Sequence, residues 1–163
     1  MATRAAAGLL ILGMTVLSGL GCAPSNPGGD EIAGPDLAAI TTVVKDVYRQ
    51  EGQSRMIFLA VEEPVDDTLL EETLEQDLGV NVRPESEADR TDPSLPVLTP
   101  KLPETGEIGI SIQLGRLSLA DDGKLHVTVL FARCGLDGGS FEYVLERTDA
   151  GWSIADVIPR GQA

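Results

Sequence analysis

Aromatic side chains are scarce in this chain: Phe, Trp and Tyr make up 4% of its 163 residues. A core must therefore be assembled chiefly from Val, Ile, Leu and Ala, and an apolar content of 42% suffices for one. Histidine occurs once, as His126, so a histidine-centred metal site would have to recruit distant residues of other types. Cysteine occurs twice, as Cys22 and Cys134, too few for a disulfide framework. Basic residues are sparse as well, 12 Lys and Arg against 26 Asp and Glu, for a net charge of −14. Phosphate backbones repel such a chain, which argues against nucleic acid as a partner and against docking on anionic lipid through a basic patch. The length allows one ordinary domain with appendages.

What the chain does have begins at its N-terminal end. Met1 to Arg4 carries one positive charge, and Ala5 to Gly21 carries none, with apolar centres at Leu9 to Leu12 and at Val16-Leu17. This is the layout of a secretory leader. The uncharged run holds four glycines and no basic cluster follows it, so residues 1–21 are expected to be a signal peptide rather than a permanent span. Arg4 is the only charge in the leader, and its removal takes the net charge from −14 to −15.

The leader ends Ser18-Gly19-Leu20-Gly21-Cys22. This resembles the lipobox of bacterial lipoproteins, in which a small residue such as Gly21 precedes the modified cysteine. Gly19 and Leu20 depart from the residues usual at their positions. The resemblance implies cleavage before Cys22 and acylation of its sulfur, with the bilayer as a partner through that lipid. Two or three acyl chains give stable anchoring where one is marginal. A lipidated Cys22 leaves Cys134 a lone thiol. Ala23, where the family's inner-membrane retention signal is usually Asp, implies a bacterial cell-envelope location, on the outer membrane facing the periplasm if the cell has two membranes.

Residues 22–34 are rich in Pro, Gly, Ser and Asn and are expected to form a flexible tether. A single α+β domain is expected over 35–160. A first helix begins near Pro35 or Asp36, with Leu37, Ile40, Val44, Val47 and Tyr48 on one stripe and Gly52 as its stop. Met56 to Val61 has strand length. A second helix follows from about Asp67 to Leu78, where Thr68 and Glu71 have capping-box spacing and Gly79 is the stop. Val80 to Arg83 reads as a short strand. Residues 84–107 hold five of the ten prolines and many acids, and a structureless stretch of that length would be either disordered or a functional loop.

Beyond it, Ile108, Ile110, Ile112 and Leu114 alternate with small or polar residues, and Leu117 and Leu119 continue in the opposite phase. The slip at Gly115-Arg116 predicts a bulge. Asp121-Asp122-Gly123, Gly135 to Gly139 and Asp149-Ala150-Gly151 are turn signals between the strands centred on Leu125 to Phe131, Phe141 to Leu145 and Trp152 to Ile154. Short turns force antiparallel pairing. The expected fold is α+β: two N-terminal helices packed on a curved, mainly antiparallel sheet of about five strands. The ending from Phe141 to Val157 resembles the terminal hairpin of cystatin-like and nuclear-transport-factor-like α+β domains, in which a last strand opens with Gly-Trp. The chain also resembles small bacterial secreted proteins of unknown function, a likeness that implies no activity.

Chemistry-bearing residues are few. His126 shares a strand face with Thr128, opposite Val127 and Val129, and reads as a rim histidine; as a catalytic base it would need an orienting partner. Arg133 beside Cys134 could activate that thiol, yet a free cysteine is commonly a small buried hydrophobe. The acidic pairs Asp66-Asp67, Glu71-Glu72 and Asp121-Asp122 lack calcium-loop spacing and read as solvated surface; the acidic stretch from Glu85 to Asp92 could hold a divalent cation with low affinity, though no spacing supports it. Gly135 to Gly139 joins two strands, whereas a phosphate loop opens a helix. Trp152 reads as a core anchor. No catalytic residue, metal or cofactor is expected. The expected function is a non-enzymatic, membrane-anchored domain binding a protein partner. The alternatives are a small-molecule site on the concave face of the sheet and, last, an enzyme using His126 with a carboxylate.

Overall fold

The computed structural model of the chain describes residues 37–51, 54–96, 98–135 and 137–162; the leader, Cys22 and the tether lie outside the described residues. The fold is organised around the least polar strand. Strand β1 (Met56–Val61) reads MIFLAV and has no polar residue to alternate. Such runs suit a strand buried on both faces with parallel neighbours. Here β1 lies between β2 (Asn81–Pro84) and β3 (Ile110–Leu114) and is parallel to both, with Ile57 opposite Val82 on one side and Ile110 on the other.

A parallel pair needs a long crossover. Between β1 and β2 it is helix α2 (Asp67–Leu78). Asp66 is its N-cap, accepting from the Leu69 amide at 3.1 Å, and Gly79 closes it at φ 68°. The expected Thr68–Glu71 capping box is thereby corrected: the helix starts at Asp67, so Thr68 lies inside the first turn and Asp66 meets the free amides. Between β2 and β3 the crossover is the Pro-rich segment.

From β3 onward the pairing is antiparallel, through β5 (Leu125–Cys134), β6 (Asp137–Thr148) and β7 (Gly151–Gln162). The two-residue β4 (Ser118–Leu119) pairs with β5 where β3 has ended. The phase slip at Gly115-Arg116 is thus a break between two strands rather than a bulge. After the Gly115 amide bonds the Thr128 carbonyl at 2.8 Å, the chain leaves the sheet and re-enters as β4. The order is β2-β1-β3-β5-β6-β7, a mixed open sheet of seven strands with β4 included.

The α+β class and the two helices stand. The placement of both helices at the N-terminus is corrected: only α1 (Leu37–Glu51) precedes the sheet, and α2 is inserted after its first strand. The cause is the apolarity of β1, which takes parallel partners on both sides and so demands long crossovers, the first of which is α2.

Both helices cover one face. Ala39, Ile40, Val43, Val44 and Val47 of α1 and Leu70 and Leu74 of α2 share a buried cluster with Ile57, Leu59, Ile112, Val127, Val129 and Leu145. Burying each Val, Ile or Leu among them contributes about 1.5–3 kcal/mol. Tyr143 joins them at 2% exposure, its hydroxyl donating to Asp46 of α1 at 3.0 Å; burial, with Asp46 adding to it, pushes the phenol above its usual range. Trp152, Ile154 and Val157 pack against the edge of this cluster from β7. Lys45 of α1 meets Asp77 of α2 at 2.8 Å.

The opposite face is covered only in part. Met56 and Phe58 point there, alternating with Ile57 and Leu59, and are as buried as the helix-side core. Their cover is the segment after β2. A short 3₁₀ turn, Glu85–Glu87, abuts β1 and β3, and Glu85 accepts from Ser111 at 2.9 Å and Gln113 at 3.4 Å while pairing with Arg90 at 2.5 Å. Gly109, whose amide bonds the Pro100 carbonyl at 3.0 Å, lies so close to Phe58 that an added Cβ would stand 2.7 Å from its ring. The described residues of 84–107 therefore form a folded layer. Its clasp is Lys101, 2.6 Å from Asp92 and 3.7 Å from Asp89, with its backbone paired to Asp89.

Candidate functional site

The cover ends near β3, and the helix-free face of β5, β6 and β7 carries the polar residues that the pairing register brings together. His126 pairs with Val144 and Thr128 with Glu142, which makes His126 and Glu142 diagonal neighbours. Nδ1 of His126 lies 2.7 Å from Oε1 of Glu142. Arg160 donates from Nη2 to the other carboxylate oxygen of Glu142. A bulge aims Arg160: Ser140 pairs with Gly161 and Phe141 with Pro159, so Arg160 is the extra residue and turns to the face that holds Glu142. The His126 hydrogen bond, then Arg160, holds the Glu142 carboxyl below the usual carboxylate range. The Ser118 hydroxyl donates to the backbone carbonyl of His126, at 3.4 Å, and not to its ring.

Toward β1, a second row runs across the sheet. Ala60 pairs with Gln113, and Gln113 with Leu130. With Glu62, Leu114, Gly115, Arg116 and Thr128 they line a depression of about 440 Å³. Leu130 is 48% exposed. A smaller hollow of about 240 Å³ lies at the carboxyl ends of β1 and β2 beside the start of α2, lined by Val61, Asp67, Leu70, Glu71 and Glu85 among others. Burial raises Glu71 above the usual carboxylate range; Arg83 opposes the rise, and Asp67, Glu87 and Glu75 add to it.

Neither edge of the sheet invites another strand. β2 is four residues long and ends in Pro84. β7 is long, but it carries two register breaks against β6, at Ala155 and Arg160, and Pro159 lies in the second. Short strands, bulges and proline are devices that blunt an edge.

The other residues singled out from sequence lie apart from this face. Cys134 is half-buried at the end of β5. Its neighbour Arg133 is engaged by the Glu51 carbonyl at 3.1 Å and by Asp137 at 3.0 Å. Asp121 to Gly123 form the turn from β4 to β5, and Gly138 and Gly139 fall inside β6. Among the described residues no set of three or more His, Cys, Asp and Glu could hold a metal ion, and no helix is long and apolar enough to cross a membrane. Glu142, Arg160, Glu62 and Arg116 were not singled out from sequence. The signal for the first two is pairing register, which a single strand does not carry.

No family model matches this chain, and no curated protein or solved structure shows significant similarity to it.

Proposed function

We propose that this chain is a lipid-anchored, non-enzymatic domain of the bacterial cell envelope that docks a basic protein partner on the helix-free face of β5, β6 and β7. The observation that carries the reading is that face itself. Half-exposed Leu130 lies on it beside Thr128 and the fixed His126–Glu142–Arg160 group, while both sheet edges are guarded against strand addition. A central apolar residue ringed by ordered polar groups is the layout of a protein-binding patch. The net charge of −14 favours a basic partner through electrostatic complementarity. Anchoring at Cys22 and the tether at 22–34 would hold the domain near such a partner.

Among the described residues no hydroxyl or thiol bonds the His126 ring. Glu142 occupies Nδ1, as an orienting carboxylate would, but Ser118 is directed to the backbone. The test is photocrosslinking in the native envelope from a probe placed at Leu130 or Thr128, with a control probe at Leu69 on the exposed side of α2. Crosslinks to one basic protein, from the sheet positions alone and weakening with salt, are the expected result. Equal crosslinking from Leu69 would sink the docking face. Mass spectrometry that finds Cys22 unmodified would sink the anchor.

One observation favours the alternative, a small-molecule site on the concave side of the sheet. The 440 Å³ depression is within the range of about 300–1,000 Å³ usual for small-molecule sites.

A further inference from the structure

The depression has a chemistry of its own. Its floor is the row Ala60, Gln113 and Leu130, three side chains on neighbouring strands that point away from the helices. Its rim is built where β3 stops. The Glu62 amide bonds the Leu114 carbonyl at 3.0 Å, and the Gly115 amide bonds the Thr128 carbonyl at 2.8 Å, which fixes the backbone at Glu62 and at Gly115, next to Arg116, at one end. Of the adjacent acids Glu62 and Glu63, Glu63 serves the fold by accepting from the Leu117 amide at 3.2 Å. Glu62 has no such duty: among the described residues neither its carboxylate nor the Arg116 guanidinium is in an ion pair, with each other or with a third group. Gly115 between them leaves space, since an added Cβ would meet the Thr128 carbonyl oxygen at 3.5 Å and Glu62 Oε2 at 4.0 Å, ordinary contact distances.

We infer that this depression binds a small zwitterion of the α-amino-acid type, with Glu62 receiving the ammonium, Arg116 the carboxylate, and Leu130 with Ala60 the side chain. The inference rests on the small-molecule reading of the face. A guanidinium fork matches a carboxylate in two parallel hydrogen bonds, and a carboxylate is the natural acceptor for an ammonium group. Other ligand chemistries fit worse. A simple amine would meet Arg116 and a simple acid would meet Glu62, each a like charge. An uncharged ligand would strip water from both side chains without compensating either. Gln113 and Thr128 are the neutral polar groups left to orient the ligand.

The test is calorimetric titration of the full chain with L-leucine, n-butylamine, butyrate and 3-methylbutanamide, with NMR shifts at Thr128 and Leu130 reporting location. Saturable binding of L-leucine at the depression, at least about tenfold tighter than n-butylamine or butyrate, is expected. Glu62→Gln and Arg116→Gln should each weaken it by about tenfold. Gly115→Ala should weaken it by filling space while both charges stay in place. Circular dichroism and urea midpoints of the three variants verify that they fold. Equal affinity for L-leucine and either singly charged probe would overturn the zwitterion assignment, as would charge variants that bind L-leucine unchanged. If 3-methylbutanamide alone binds, the small-molecule reading survives and the zwitterion falls. If no probe binds, both fall.

Discussion

Along β1, Ile57 and Phe58 point to opposite faces and both are fully buried; along β5, Val129 is fully buried and its neighbour Leu130 is 48% exposed. The difference follows the direction of the strands. Where β2, β1 and β3 run parallel, the connections must cross the sheet, and they lie on it: α2 on one face and residues 84–107 on the other. Where β5, β6 and β7 are joined by tight turns, no connection crosses, and α1 and its neighbours cover one face only. Covered and uncovered halves of one sheet thus arise from connection length, and the uncovered half is where side chains remain available for partners.

Truncation tests this contrast most severely. Phe58→Ala should cost about 3–5 kcal/mol, because the Pro-rich layer leaves a cavity rather than water beside it. Leu130→Ala should stay within about 0.5 kcal/mol. Urea denaturation of the two variants measures the difference, and equal midpoints would mean that the segment after β2 is no true second layer. Gly109→Ala comes next. An added Cβ would stand 2.7 Å from the Phe58 ring and 3.0 Å from the Met56 carbonyl oxygen, so one of them must shift, at about 1–3 kcal/mol. Its thermal midpoint should fall clearly, whereas Gly115→Ala on the uncovered half should leave the midpoint near that of the unaltered chain.

Much of this fold is legible in the sequence, element by element. The helix from Asp67 to Leu78 is readable from its leucine spacing and its glycine stop, and the strands around Val127, Tyr143 and Ile154 from their alternation. The parallel pairing of β1 is not readable in the same way, because MIFLAV has no alternation to show which faces are buried and nothing local names its two partners. The Pro-rich segment offers no periodicity either; its order comes from long-range groups, Glu85 with Ser111 and Gly109 against Phe58. The polar cluster was half visible. His126 is conspicuous as the one histidine, but Glu142 and Arg160 reach it through strand register and a bulge, which are properties of pairs of strands.

Acid should distinguish the two halves next. Hydrogen bonds from Thr91 hold Asp89 below the usual carboxylate range, and those from Lys101, then Ser94, do the same for Asp92. Groups with a depressed folded-state pKa stabilise fully above their unfolded value, about 3.9 for Asp, and lose that contribution as pH falls through the folded value. The Asp92 partner raises Lys101, whose contribution is full below its unfolded value of about 10.4 and lost as pH rises through the folded one. The clasp of the Pro-rich layer is therefore strongest between about pH 4 and pH 10. Amide exchange at Asp89 and Lys101, corrected for intrinsic rate, should speed up below that window sooner than exchange at Val127. Lys101→Met should speed both clasp amides at pH 7 and leave Val127 unchanged.

The smallest effect expected is also the one with the reversed sign. Glu142, on the uncovered half, is held below the usual range by His126 and then Arg160, so its charge favours the folded chain above the ordinary carboxylate range. Glu71, beside the covered half, is raised chiefly by burial; Arg83 opposes the rise, and Asp67, Glu87 and Glu75 add to it. A carboxyl with a raised folded-state pKa contributes its stability below its unfolded value, about 4.3 for Glu, and loses it as pH rises through the folded value. Glu71→Gln should therefore raise the thermal midpoint at pH 7, by no more than about 2 °C, and the gain should vanish near pH 3. Glu142→Gln should lower the midpoint at pH 7, and that loss should shrink as pH falls below the unfolded carboxylate value, about 4.3 for Glu, and through the lower folded one. If the two substitutions shift the midpoint in the same direction, local pairing does not separate these carboxylates. If they diverge, the covered half carries an ionised group that resists burial, while the open half carries one already neutralised by its neighbours and so ready to meet a partner without desolvating a lone charge.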